Sequence, residues 1–162
     1  MGDLPPVRLP KATSNGVLPE GIHDVTLAEI GDRFGGFQRS TRRIALFENL
    51  RRYLEGVRKA GWDVTVILNG SFIMECVDTP SDIDLVLVFP GGWDMSAELK
   101  PFEYNLVSKK RTHGEYRIHV FPVTAGSEDE QEWLTFFQRV SPKWTQKLGV
   151  PAEIKKGLIR IT

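Results

Sequence analysis

Val64-Thr65-Val66-Ile67-Leu68-Asn69-Gly70-Ser71, followed after residues 72–81 by Asp82-Ile83-Asp84-Leu85-Val86-Leu87-Val88-Phe89, is the stretch on which the fold turns. Val64, Val66 and Leu68 interleave with Thr65 and Ile67 in a β-rich, mostly apolar run, which predicts a strand ending abruptly at Asn69-Gly70-Ser71. Phe72 to Val77 is expected to form one or two helical turns, stopped by Asp78-Thr79-Pro80. Beyond its two acids the second run is apolar on both faces, the pattern of a central strand. Glycine lets a phosphate approach the backbone, a helix start beyond it presents free N–H groups, and Ser71 adds a hydroxyl donor. Residues i and i+2 of a strand face the same side, so Asp82 and Asp84 converge on one spot. Two carboxylates that close repel each other unless a proton or a cation neutralises them. Mg²⁺, which takes oxygen ligands together with substrate phosphates, suits such a place.

Working outward, residues 1–21 hold Pro5, Pro6, Pro10 and Pro19 and read as an extended N-terminal arm. Thr26-Leu27-Ala28-Glu29 has the form of a capping box opening a short helix to about Phe34, ended by Gly35-Gly36. Ser40 is the expected N-cap of a longer helix, with Ile44, Phe47, Leu50, Leu54 and Val57 at helical spacing and Gly61 as its stop. Arg42, Arg43, Arg51, Arg52 and Arg58 fall on the other face of that helix, which reads as solvated surface. Downstream, residues 94–100 suggest a short helix, and strands are expected at about 104–109 and 115–123, joined through Arg111-Thr112-His113-Gly114. Ser127-Glu128-Asp129-Glu130 is a second capping box, opening a helix with Trp133, Phe136, Phe137 and Val140 that stops before Pro142. Leu158-Ile159-Arg160-Ile161 suggests a small last strand. The order implies a single-domain α/β (α+β) fold over residues 22–162, a small mixed sheet flanked by helices with its core at about 62–123.

The chain has 162 residues, one ordinary domain, with 41% hydrophobic and 26% charged residues, the composition of a globular protein. Lys+Arg and Asp+Glu balance at 21 each, so no global basic field argues for binding long nucleic acid. No apolar run approaches the roughly 18–20 residues of a membrane span, and the first residues lack the regions of a signal peptide. The lone Cys76 has no partner for an internal disulfide. A cytoplasmic protein without membrane association is the expectation.

Leu68-Asn69-Gly70-Ser71 with Ser81-Asp82-Ile83-Asp84-Leu85 resembles the nucleotidyltransferase superfamily shared by DNA polymerase beta, antibiotic nucleotidyltransferases and the minimal bacterial enzymes. Leu18-Pro19-Glu20-Gly21-Ile22-His23-Asp24, Trp133-Leu134-Thr135-Phe136-Phe137 and Lys156-Gly157-Leu158 resemble an uncharacterised bacterial branch of small nucleotidyltransferase-like proteins. The resemblance implies that Gly70 and Ser71 hold the β- and γ-phosphates of an NTP, and that Asp82 and Asp84 hold the Mg²⁺ (or Mn²⁺) that travels with it. It further implies transfer of a nucleoside monophosphate to a hydroxyl on a protein or RNA acceptor. Minimal members often act in toxin–antitoxin or defence pairs, on a partner protein encoded alongside.

The active pattern needs a third carboxylate on a later strand, completing a second metal site that activates the attacking hydroxyl. At the expected position stands His119. It is an ordinary strand residue, or a general base or weak metal ligand, or the strand register differs. Glu115 shares its parity but lies about 13 Å away along a strand, and Glu103 serves only in another register. A domain that binds nucleotide or a protein partner without turnover is the rival expectation. An RNA-binding module using Arg39, Arg42, Arg43, Arg51 and Arg52 is a third. Lys109-Lys110-Arg111 reads as a charged hairpin, Trp133, Phe136 and Phe137 as core, Cys76 as packing, and His23 and His113 as isolated residues without zinc spacing.

Overall fold

Five strands form one mixed sheet in the computed structural model, which describes residues 9–36 and 41–162. They are β1 (Ile22–Val25), β2 (Thr65–Asn69), β3 (Ile83–Phe89), β4 (Ile118–Thr124) and β5 (Leu158–Ile161), in the spatial order β1-β5-β2-β3-β4. The β1/β5 and β3/β4 pairs are parallel, whereas β2 runs antiparallel to both β3 and β5. The architecture is the expected α/β one, a mixed sheet flanked by helices. Alternate residues of β3 serve two cores. Ile83, Leu85, Leu87 and Phe89 pack with Ile30 and Phe34 of α1 (Leu27–Phe34), Leu46, Leu50 and Tyr53 of α2 (Thr41–Ala60), and Leu106 of α3 (Pro101–Val107). Val86 and Val88 pack on the opposite face with Ile67, Val123, Leu158 and Phe137 of α5 (Glu128–Phe137). A strand covered on both faces must be apolar throughout, which is why β3 lacks alternation.

Local chemistry sets several boundaries. The Thr26 hydroxyl accepts from the Glu29 N–H at 3.2 Å and opens α1, and Ser127 accepts from the Glu130 N–H at 3.2 Å and opens α5. Gly61, at φ 71°, ends α2 in the left-handed region. Ser40, the expected cap of α2, lies outside the described residues. Residues 9–21 hold no helix or strand, yet Leu9, Val17 and Leu18 are buried and the Gly157 N–H donates to the Leu18 carbonyl at 2.9 Å.

Five expectations are corrected. Residues 104–109 are not a strand: α3 is followed at once by α4 (Lys109–Tyr116), and the two meet at Ser108. Pro101 pre-sets the first turn of α3, Glu103 accepts from the Lys100 N–H at 2.8 Å, and the Ser108 hydroxyl caps α4 through the Arg111 N–H. These helix-start signals outweigh the alternation of Tyr104, Leu106 and Ser108. Residues 94–100 form turns rather than a helix, and β4 begins at Ile118 because α4 runs through Tyr116. After Gly70 there is only a single 3-10 turn, Ser71–Ile73, with Met74 already extended. Arg43 is not on the solvated face of α2 but fully buried. Its Nη1 donates to the carbonyls of Phe34 (3.2 Å) and Phe72 (2.5 Å), and its Nη2 to those of Met74 (2.9 Å) and Val77 (2.6 Å). Burial lowers its pKa to about 10, partly offset by Asp78, Cys76 and Glu75, so it stays charged at neutrality. A segment too short for its own helix is thereby held by a guanidinium fork.

Candidate functional site

Strand register lays three polar side chains in a row across the sheet. Asn69 of β2 pairs with Asp84 of β3, and Asp84 pairs with His119 of β4. All three share the parity of Ile67, Val86 and Val123, so they face the side covered by α5. At this end of the sheet a cleft of about 510 Å³ opens against the end of α5 and the start of α6 (Pro142–Leu148). Asn69, Gly70, Ser71, Asp82, Asp84 and Lys156 line it. Phe136 and Trp144 form its aromatic side, and Arg139 and Lys143 add positive charge.

Gly70 and Asp84 are in intimate contact. Gly70 adopts φ 87° and ψ −170°, and a Cβ on it would stand 2.6 Å from Asp84 Oδ2. Glycine is therefore required twice, by the dihedral and by the carboxylate against its Cα. The neighbouring Asn69 is 1% exposed, and neither its amide nitrogen nor its amide oxygen has a hydrogen-bond partner. Leaving a buried amide unsatisfied costs about 1–3 kcal/mol, so this side chain is an anomaly within an otherwise well-packed sheet.

Two more groups are held away from their comfortable charge states. Burial, reinforced by the negative Asp82, pushes the Asp84 carboxyl up to about 6, while His119 and Lys156 pull it back. Lys156 is 6% exposed, and burial lowers its pKa to about 8 against the attraction of Asp84 and Cys76. Among the described residues no carboxylate lies within 4.0 Å of its ammonium, so the attraction is long-range. At neutral pH both groups are mainly charged. Burial dominates each shift, and each shift is toward neutrality despite the opposite charge nearby.

Asp82, just ahead of β3, turns toward β4. Its Oδ2 lies 3.0 Å from His119 Nε2 and 3.8 Å from His113 Nε2. The two imidazoles stack with centroids 4.4 Å apart and planes 15° from parallel. The turn between α4 and β4 makes this possible. Arg117, at φ 57°, caps α4 by donating to the carbonyls of His113 and Thr112, and its own carbonyl accepts from the Ile83 N–H at 3.0 Å. A non-glycine residue in the left-handed region costs about 1–2 kcal/mol, here offset by bonds that join α4, β4 and β3.

The structure thus brings Gly70, Ser71, Asp82, Asp84 and His119 together, and adds Asn69, Lys156 and His113. The assigned hairpin hid His113, which reads as isolated only if residues 104–109 are a strand. Lys156 belongs to Lys156-Gly157-Leu158, which carries a family resemblance but no chemical motif, and a lone lysine ahead of a small strand has no sequence signal of burial. Asn69 is legible only as the residue before Gly70. Among the described residues no carboxylate takes the place of His119. Glu115 ion-pairs with Arg52 at 2.9 Å on the exposed side of α4, and Glu103 is engaged in the cap of α3.

The remaining candidates find structural employment. Arg51, Arg52 and Arg58 ion-pair with Glu48, Glu115 and Glu55, so three of the helix's arginines are matched by acids. Arg39 lies outside the described residues. Lys109, Lys110 and Arg111 open α4 instead of a hairpin. Burial raises the Cys76 thiol pKa, and its Cβ packs against Gly16, where an added side chain would collide at 2.6 Å. His23 Nε2 lies 2.8 Å from the Pro19 carbonyl oxygen. Trp133 and Phe137 stack at 5.3 Å beneath Phe121, whereas Phe136 is 56% exposed at the cleft. No described helix is long and apolar enough to cross a membrane.

No curated protein and no solved structure gives a significant match to the chain. Residues 10–162 match a family of unknown function, DUF6932, and the chain belongs to that family.

Proposed function

We propose that the cleft is a Mg²⁺-dependent nucleotidyltransferase site, moving a nucleoside monophosphate from an NTP to a hydroxyl of a protein or RNA acceptor. The contact between Gly70 and Asp84 carries this reading, because it joins a phosphate-cradling turn directly to a carboxylate poised for a cation. The donor set also fits. Asp82 and Asp84 offer the hard oxygen ligands that Mg²⁺ takes, and the unsatisfied amide of Asn69 offers both a donor and an acceptor to whatever enters. Bound there, Mg²⁺ would neutralise charge on the phosphates.

The chain's own groups have distinct parts. The Ser71 hydroxyl donates to phosphate oxygens, while Lys156, Arg139 and Lys143 supply positive charge to the triphosphate and to the departing pyrophosphate. Phe136 and Trp144 offer ring faces to the base. The acceptor oxygen bonds to the α-phosphorus, the bridging bond to the β-phosphate breaks, and pyrophosphate leaves. His119 is the base nearest Asp82 that can take the hydroxyl proton. A protein partner encoded alongside, in a toxin–antitoxin or defence pair, is the first acceptor to test, in a cytoplasmic setting that supplies NTP.

The decisive measurement is pyrophosphate release and labelled-nucleotide incorporation with each NTP and Mg²⁺ or Mn²⁺. Labelling that disappears in the Asp82→Ala/Asp84→Ala double variant supports transfer. His119 in place of a carboxylate favours a second reading, in which nucleotide or a protein partner is bound without turnover. Nucleotide binding that depends on both aspartates, without pyrophosphate release, selects that reading.

A further inference from the structure

We infer that Asp82, His113 and His119 form a second metal site, selective for a divalent transition ion of the Zn²⁺ and Co²⁺ class rather than for Mg²⁺. One ligand atom from each of the three lies within 4.8 Å of the others. Both imidazoles aim Nε2 at the same carboxylate oxygen, at 3.0 and 3.8 Å. A tetrahedral ion with Zn–N bonds of about 2.0–2.1 Å sets its ligand atoms roughly 3.3 Å apart, a value these two distances bracket. Small rotations of two surface side chains close the set. The residues come from three separate elements, the approach to β3, the last turn of α4 and β4, so their convergence is a product of the fold rather than of sequence proximity.

The chemistry of the donors decides which ion. Two imidazole nitrogens and one carboxylate suit the borderline transition ions, whereas Mg²⁺ calls for oxygen throughout. All three side chains are partly exposed, at 38%, 42% and 25% for His113, His119 and Asp82. That leaves coordination positions open to water or to an incoming hydroxyl, as catalytic rather than structural zinc sites do. Asp82 belongs to both this set and the Asp82/Asp84 pair. Where the nucleotidyltransferase reading holds, the histidine pair would hold an ion on the acceptor side in place of a third carboxylate, and His119, its Nε2 then coordinated, would not also serve as the base. That role rests on the proposed function, but the ion preference does not.

The test is titration of the metal-stripped full chain with Zn²⁺ and with Co²⁺, read by calorimetry and by Co²⁺ visible absorption, without any nucleotide. One equivalent should bind, with the intense absorption of a low-coordinate nitrogen-ligated Co²⁺ ion. His113→Ala and His119→Ala should each weaken binding about 100-fold or more, while His23→Ala leaves it unchanged. Because both histidines are at the surface, the variants should retain the parent thermal midpoint in the absence of metal. Weak binding that is indifferent to both histidines, or equal preference for Mg²⁺, overturns the inference and leaves a plain His–Asp pair. One-equivalent Zn²⁺ binding lost in both variants sustains it even when no nucleotide is transferred, so the two proposals fail separately.

Discussion

Two cations are buried among the described residues, and they are treated in opposite ways. Arg43 reaches from α2 to four backbone carbonyls and fixes Phe34 and the 72–77 segment in place. Lys156 enters the cleft from the segment before β5, with no carboxylate in contact and its pKa depressed to about 8 by burial. A fork of well-placed acceptors makes a buried charge a structural bolt. A buried charge without such acceptors is tolerated where something else will meet it. The same contrast separates Asn69, whose amide is unsatisfied, from the surrounding strand atoms.

That comparison is breakable by substitution. Arg43→Met leaves four buried carbonyls without their donor and should cost about 3–5 kcal/mol, a fall of the thermal midpoint by about 10 °C at this chain length, measurable by calorimetry. Asp84→Asn should do the reverse. The folded pKa of Asp84 lies above its ordinary value, so its ionised form opposes folding. The loss of stability develops as pH rises from about 4 to 6 and is complete above that. At pH 7.5 the amide variant should be more stable by up to about 3 kcal/mol, and the difference should vanish near pH 4 in denaturant titrations. Any Asp84-dependent metal or nucleotide binding should fall as pH drops through about 6.

The smallest expected shift in stability is at Lys156. Its folded pKa is depressed, so the penalty is present in full below about pH 8 and is relieved as pH rises toward 10.5. Lys156→Met should be neutral or stabilising by about 1–2 kcal/mol at neutral pH. On the proposed nucleotidyltransferase reading it should nevertheless weaken nucleotide binding about 10- to 100-fold, the worth of one charge-assisted hydrogen bond. A Lys156→Met protein as unstable as Arg43→Met would erase the distinction between the two cations.

The part of the site that lies near itself in the chain was legible. Asn69-Gly70-Ser71 and Asp82-Ile83-Asp84 stand at the ends of two antiparallel neighbours, and the apolar patterns of β2 and β3 mark both strands. His119 stands at the centre of the strand expected over 115–123, where the resemblance calls for a carboxylate, and the register sets it beside Asp84. What stayed hidden depends on distance or on competition between local signals. Residues 104–116 carry strand-like alternation and helix caps together, and the caps prevail, which carries His113 to its partner. Arg43 has the spacing of a surface residue, and only the loop folded over it turns that position inward. β1 is four residues long, with no pattern strong enough to announce it, and its partner lies at the far side of the sequence.

That last pairing has a consequence for the order of assembly. β1 joins the sheet only through β5, and the Asp24–Arg160 ion pair that seals them spans 136 positions of sequence. During synthesis β1 must wait for β5, 136 positions later, while β2 keeps one edge unpaired in the meantime. Such long-range closure slows folding and prolongs the exposure of an open strand edge. Lys156 is delivered by the same late segment, so the growing chain has its two aspartates before it has the cation that faces them. The pocket becomes electrically complete only at the moment the sheet closes.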